Sequence, residues 1–253
     1  MYGALKGLVK KILPESVMNE IEFPLRSLYY PFVAGTGNTC PCCRRAYRKF
    51  IPIDHHGFED DLCPGCGSLS RTRLLWLYLE KNQVVEEPKQ VLHFSPHKYL
   101  RKILVKRLGS TYLDTNFDSK RCRHQFDICA LPLKDSSQDL VVAYHIFEHI
   151  PEDRLAMSEC FRVLKSKSVM LCQIPWNEGQ TLEDPSITDP NERLRLFGQE
   201  DHVRYYGKED FVQRLSSAGF QVSEVVAREF CSEEELRQMS LKSEEVIFHC
   251  RKP

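Results

Sequence analysis

No stretch of this 253-residue sequence carries the roughly 20 consecutive apolar residues that cross a bilayer, which excludes a helical membrane span. Net charge is absent as well: 35 Lys and Arg balance 35 Asp and Glu, so the whole molecule has no built-in attraction for nucleic acid or an anionic surface. There is no internal repeat and no low-complexity tract, which excludes solenoids and compositionally disordered chains. The opening "MYGALKGLVKKILPES" has lysines inside its apolar stretch and no small-residue cleavage site, so no secretory leader is expected. Eleven cysteines, an odd number, argue against a closed disulfide framework and for a reducing, cytoplasmic compartment. The most informative absence is local. In "VLHFSPHKYL", residues 91–100, a strand-like run turns into a helical pattern with no glycine, where a nucleotide-binding α/β chain places several.

The sequence length accommodates one cored domain and a smaller module. Residues 1–39 place Leu5, Leu8, Val9 and Ile12 at helical spacing with Lys6, Lys10 and Lys11 on other faces, as a surface helix docked on the main domain would. With Leu28, Tyr29, Tyr30 and Phe32 downstream, peripheral membrane contact through this segment is the sharper alternative. Residues 1–50 hold eight Lys and Arg against three Glu, a modest basic excess. From Gln90 onward, short apolar runs alternate with helical patterns. "QVLHF", "STYLDTNF", "QDLVVAYH", "SVMLCQIP", "FQVSEVVA" and "EEVIFHC" read as strands. Helices are expected near 98–108, over "PEDRLAMSECFRVLK" and over "KEDFVQRLSSAGF", the last ending at Gly219. Ser232 and Glu235 form a capping-box pattern. This alternation predicts a largely parallel sheet covered on both faces, its last two strands forming an antiparallel edge.

The strongest chemical signal is "CPCCRRAYRKFIPIDHHGFEDDLCPGCG". Cys40 and Cys43 make one C-x2-C pair, Cys63 and Cys66 a second, and two such hairpins can place four thiolates about 2.3 Å from one zinc ion. A closed four-sulfur site is structural, stabilising a segment too small for its own core, whereas catalytic zinc keeps an open position. Cys42, His55 and His56 remain alternative ligands. "SLSRTRLLWLYLEKN" then reads as a helix starting at the second pair. The expected organisation is an N-terminal helical, basic segment (1–39), a zinc-binding module with its linking helix (40–83), and an α/β domain (84–253).

The stretches "CPGCGSLSRTRLLWLYL", "VLHFSPHKYL", "FDICALPLKDSSQDLVVAYHIFEHIPEDRLAMSECFRVLK" and "TLEDPSITDPNERLRLFGQEDHVRYYGKEDF" together resemble class I S-adenosylmethionine-dependent methyltransferases, in a branch with a cysteine-pair module in front. The resemblance implies a Rossmann-like, mostly parallel seven-stranded sheet with an antiparallel last strand, and methyl transfer as the activity. It further implies that His93, Ser95 and His97 sit at the turn meeting the methionine part of the cofactor. Asp114, Asn116 or Asp118 would stand where an acid holds the ribose hydroxyls, Asp127 would approach the adenine, and Tyr144 and His145 would lie beside the transferred methyl. Asn116 stands at the aligned ribose position, and "LKSKS" replaces a turn that is Pro-Gly-Gly in the family.

S-adenosylmethionine has no phosphate, so the close backbone approach that glycines permit is less needed. Ser95 or His97 can meet the amino-acid tail instead, with Pro96 stiffening the turn and keeping Ser95 extended. Methyl transfer requires alignment and a nucleophile in the right protonation state, which makes His145, His149 and His202 the candidate catalytic residues. Trp176, Asp201, Arg204 and Tyr205 are weaker substrate-side candidates. "HIFEH", 145–149, also matches the H-x-x-E-H zinc-protease pattern, but His145 directly ends a strand and Pro151 follows, leaving little helix. The expected acceptor is an oxygen or nitrogen of a small or sugar-like molecule. The alternatives are an RNA substrate gripped by "RRAYRKF" and a non-enzymatic protein with a relic pocket.

Overall fold

A computed structural model describes residues 15–55, 58–85, 89–117 and 122–253, with side chains from residue 21 onward and without that of His55. The expected helix around Leu5–Ile12, His56 and Asp118 fall outside the described residues. The centre is one six-stranded sheet. Strands β5 (Val91–Phe94), β6 (Tyr112–Thr115), β7 (Gln138–Tyr144) and β8 (Leu164–Gln173) run parallel, while β13 (Val246–Arg251) lies antiparallel between β8 and β12 (Gln221–Val226). The order across the sheet is β12-β13-β8-β7-β5-β6, while β9 (Trp176–Asn177), β10 (Leu182–Glu183) and β11 (Arg204–Gly207) make a separate small sheet. The continuous apolar run of β7 follows from burial on both faces. Leu140 and Val142 join the core on one side, Val141 and Ala143 the core on the other.

The expectation of seven strands is corrected to six among the described residues. Where a further strand would lie beyond β6, there is an isolated parallel bridge between Thr115 and His124. The reason is length: only eight residues, 116–123, connect the two partners, whereas a full parallel strand needs a crossover of a dozen or more. Helices α3 (Lys98–Leu108), α4 (Asp153–Val163) and α6 (Lys208–Ser217) lie near their expected positions, and Ser232 with Glu235 forms the capping box.

Ahead of the sheet, α1 (Glu15–Val33) leads into the hairpin of β1 (Ala34–Cys40) and β2 (Arg45–Tyr47), then that of β3 (Ile51–His55) and β4 (Phe58–Leu62), and then α2 (Ser70–Lys81). This module has no separate core. Cys40, Tyr47, Leu74, Leu77 and Leu79 belong to the same buried cluster as Leu100, Tyr112, Leu140 and Ile247 from the sheet and its helices. A fully buried arginine completes the attachment. Arg73 donates to the carbonyls of Asp61, Ser68, Met239 and Ser240 at 2.7–2.8 Å, tying the cysteine loop to the chain just before the last strand.

Candidate functional site

The chain runs from β5 outward to β6 on one side and returns to β7 on the other, so the carboxyl ends of β5 and β7 flank a topological switch point, where open α/β sheets bind ligands. Both flanking turns are strained. Ser95, just after β5, has φ +44° and His145, just after β7, has φ +53°. Left-handed backbone at residues other than glycine is uncommon and collects at functional sites. The expectation that Pro96 keeps Ser95 extended is thereby corrected: serine adopts the conformation glycine favours. Local bonds hold it there, since Ser95 N donates to Thr115 O at 2.7 Å and Asn116 Nδ2 donates to Ser95 Oγ at 2.8 Å. Ser95 and Asn116, proposed from sequence, therefore meet across the ends of two strands.

The other cofactor candidates are placed differently. His93 lies mid-strand, buried, its Nδ1 2.9 Å from the Tyr112 hydroxyl, and burial pushes its pKa down to about 3. Asp114 is fully buried and clamped by Arg101 Nε at 2.6 Å and Arg123 Nε at 2.5 Å. Burial raises its pKa, but the two guanidiniums and the Arg123 amide overcome that and hold it at about 2. With both oxygens so engaged, Asp114 fastens the edge of the sheet. Asp127 is exposed, and its Oδ1 accepts from Cys129 N at 2.8 Å, closing a tight turn after the Thr115–His124 bridge. The Tyr144 hydroxyl is buried without a hydrogen-bond partner among the described residues.

His97 reaches the cysteine module, its Nε2 3.1 Å from Gly67 O. The carbonyl must accept, so Nε2 carries the proton. Burial pushes His97 to about 4, and Arg26 and, less strongly, Arg71 add to that depression. Burial likewise lowers His145, again with a contribution from Arg71. Arg71, on the first turn of α2, is a cation felt electrostatically by both residues. Sequence reading missed Arg71 because "SRTR" looks like a helix start; its neighbour Arg73 is spent on structure, and only the tertiary packing separates the two roles.

On the far side of His145, a short 3-10 turn (Phe147–His149) carries the buried Glu148. His145 Nδ1 stands 3.2 Å from Glu148 Oε1. His149 and the distant His202 pack edge to face, centroids 4.7 Å apart, and Glu148, His149 and His202 converge on one point. The three histidines named from sequence are thus brought together, around a glutamate that was read there only as part of a protease motif. Burial raises Glu148, yet His145 and His149 pull it lower than usual; burial lowers His202. Arg204, a substrate-side candidate, holds the turn instead: it donates to the carbonyls of Phe147, Ile150 and Pro151 and pairs with Glu183 at 2.8 Å. Asp201 lies 3.2 Å from His149 Nδ1, and the Tyr205 hydroxyl donates to Trp176 O.

The four cysteines converge as their spacing requires. Cys40 and Cys66 Sγ are 3.6 Å apart, and Cys43 and Cys63 Sγ 3.7 Å. A tetrahedron with metal–sulfur bonds of about 2.3 Å has edges of about 3.8 Å, so the group fits zinc. The two knuckles are built alike. Arg44 N donates to Cys40 O and Gly67 N to Cys63 O, and both residues are left-handed, at φ +55° and +74°. Cys42 faces away, toward Thr72 O at 3.9 Å. "RRAYRKF" forms no open stacking surface: Tyr47 is buried, Arg45 lies over Tyr30 at 4.8 Å, and Arg44 pairs with Glu80.

Residues 62–172 match the methyltransferase domain family. Over this stretch the chain is similar to methyltransferase domains. The match begins at Leu62, just before the second cysteine pair and ahead of the six-stranded sheet, consistent with α2 sharing the core of that sheet. A probable S-adenosylmethionine-dependent methyltransferase of Mycolicibacterium smegmatis is 31% identical over 100 residues, 40% of this chain and 35% of that protein. The chain thus matches about a third of the length of that curated relative. Among solved structures, the complex between the Haloferax volcanii Trm112 methyltransferase activator and a methyltransferase superposes with TM-score 0.50 at 13% identity, covering 72% of this chain and 91% of that one. This likeness establishes the fold alone. An S-adenosylmethionine-dependent methyltransferase from Archaeoglobus fulgidus has TM-score 0.49 at 16% identity, covering 72% of this chain and 94% of that one.

Proposed function

We propose that this protein transfers a methyl group from S-adenosylmethionine to an oxygen or nitrogen of a small or sugar-like acceptor. The observation that carries the reading is the pairing of the family match with the two strained turns at the switch point, which carry Ser95, held by Asn116, and His145. The donor supplies a methyl on a sulfonium, whose C–S bond breaks as the bond to the acceptor forms. Arg71 would receive the donor's carboxylate, Ser95 and His97 would line its amino-acid tail, and Asn116 would meet the ribose in place of the clamped Asp114. Asp127 would face the adenine. Tyr144 and His145 would border the reacting methyl, and His145, His149 and His202 would orient the acceptor and take its proton.

The four cysteines would hold zinc with a structural role, keeping α2, and so Arg71, in place over β5. The division at about residue 83 is proposed as a boundary of chemistry, since the two parts share a core. On α1, Leu28 and Phe32 are 76% and 72% exposed on the same face as Leu25, which supports peripheral membrane contact; co-sedimentation with vesicles tests it. No described helix is long and apolar enough to cross a membrane. The test of function is calorimetric titration with S-adenosylmethionine. Binding to the wild type is expected, with Arg71→Ala weakening it at least tenfold, the order of a lost charge-assisted bond. Absence of binding by the folded protein removes the enzymatic reading; equal binding by the variant removes only Arg71 from it.

A further inference from the structure

We propose that Glu148, His149 and His202 form a second metal site, distinct from the four cysteines, that takes one divalent transition-metal ion. One donor atom from each lies within 4.8 Å of the others. Ligands on an ion with bonds of about 2.0–2.2 Å lie about 3–4 Å apart, so small side-chain rotations close the site. Three further features point to a ligand. Glu148 is 0% exposed; His145 Nδ1 stands 3.2 Å from Oε1, and among the described residues no hydrogen bond reaches Oε2. A buried carboxylate so placed is costly unless a cation joins it. His202 Nδ1 lies 2.8 Å from Phe197 O, a carbonyl that can only accept, so the proton sits on Nδ1 and the lone pair on Nε2. His149 Nδ1 faces the Asp201 carboxylate at 3.2 Å, fixing the same tautomer. Backbone carbonyl on one imidazole and carboxylate on the other is the outer-shell arrangement that orients metal-binding histidines.

Two imidazoles and one carboxylate suit zinc, iron(II), cobalt(II) or a similar ion, and leave coordination positions open. Resting on the methyl-transfer reading, those positions would take an oxygen of the acceptor; with the metal bound, His149 and His202 would orient the acceptor through the ion and the proton would go to His145 at the end of β7. The "HIFEH" motif thus supplies two ligands, with His202 as the third, while the left-handed turn at His145 sets that residue apart.

The test uses the full chain with its cysteines first saturated with zinc, then titrated with cobalt(II). The expected result is one further equivalent bound, with weak visible bands and no thiolate charge-transfer absorption. Glu148→Gln and His202→Ala should weaken that uptake at least tenfold while cysteine-bound zinc is retained. Should either variant lose the zinc through misfolding, His149→Gln at a half-exposed ring decides, and a tenfold loss supports the site. The proposal is overturned if the zinc-saturated wild type takes up no cobalt, or if His149→Gln binds it as tightly as the wild type. Loss of S-adenosylmethionine binding with cobalt uptake intact would instead defeat the methyl-transfer reading alone.

Discussion

Ser95 and Lys167 explain how turns poor in glycine still close. Both have φ in the left-handed region, +44° and +66°, at the two places where the resemblance leads one to expect glycine. Ser95 is held by Thr115 O and Asn116 Nδ2, and Lys167 by its amide donating to Lys252 O at 2.9 Å. Tertiary hydrogen bonds can hold a strained residue where local preference would refuse it. Asp114 shows the same principle with charge. Its pKa is held at about 2, below the usual value of 3.8, so its contribution is present above about pH 4 and is lost as the pH falls through 2. Asp114→Asn is expected to remove about 2 kcal/mol at neutral pH and to flatten this acid limb, measured by urea unfolding between pH 2 and 7. An unchanged acid limb would mean that the clamp is not formed in solution.

At the scale of elements, α2 carries two arginines two residues apart with opposite fates. Arg73 is buried under four carbonyls and over the Phe50 ring at 4.6 Å, while Arg71 is partly exposed and is felt electrostatically by His97 and His145. Arg73→Met should destabilise the protein by about 3–5 kcal/mol, because the carbonyls of Ser68 and Met239 lose a donor inside the fold. Thermal unfolding measures this, and a loss below 1 kcal/mol would show that the two segments are held by packing alone. The turn Phe147–His149 is governed similarly by Arg204, whose guanidinium fixes three carbonyls around Glu148. Thus α6 and the segment before it, remote in sequence, set the geometry of the histidine cluster. Arg214 of α6 continues the network through Asp153 at 2.9 Å and Glu183 at 2.7 Å.

At the scale of the whole molecule, the cysteine module and the sheet are coupled through His97 on Gly67 O and through α2 in the shared core. Removing zinc with a strong chelator is expected to lower the melting temperature and, in the same samples, to weaken S-adenosylmethionine binding by displacing Arg71. Scanning fluorimetry with and without donor reads both effects. A chelated protein with unchanged melting and unchanged donor binding would make the module an independent appendage.

The order of strands and helices from Gln90 onward, the convergence of the four cysteines and the histidine candidates were legible in the sequence, because hydrophobic period, turn residues and C-x2-C spacing are properties of neighbouring residues. That six strands and not seven form the sheet among the described residues was less legible, since the sign of it is the short 116–123 connection rather than any missing apolar run. What only the tertiary structure decided is how identical side chains divide their work. Asp114 faces two arginines while Asn116 bonds Ser95, Arg73 is buried under carbonyls while Arg71 acts on His145 through charge alone, and Glu148 is brought to His202 across more than fifty residues of chain. Local pattern records which residues share an element; charge, burial and hydrogen-bond partners come from elements that meet only when the sheet closes its core.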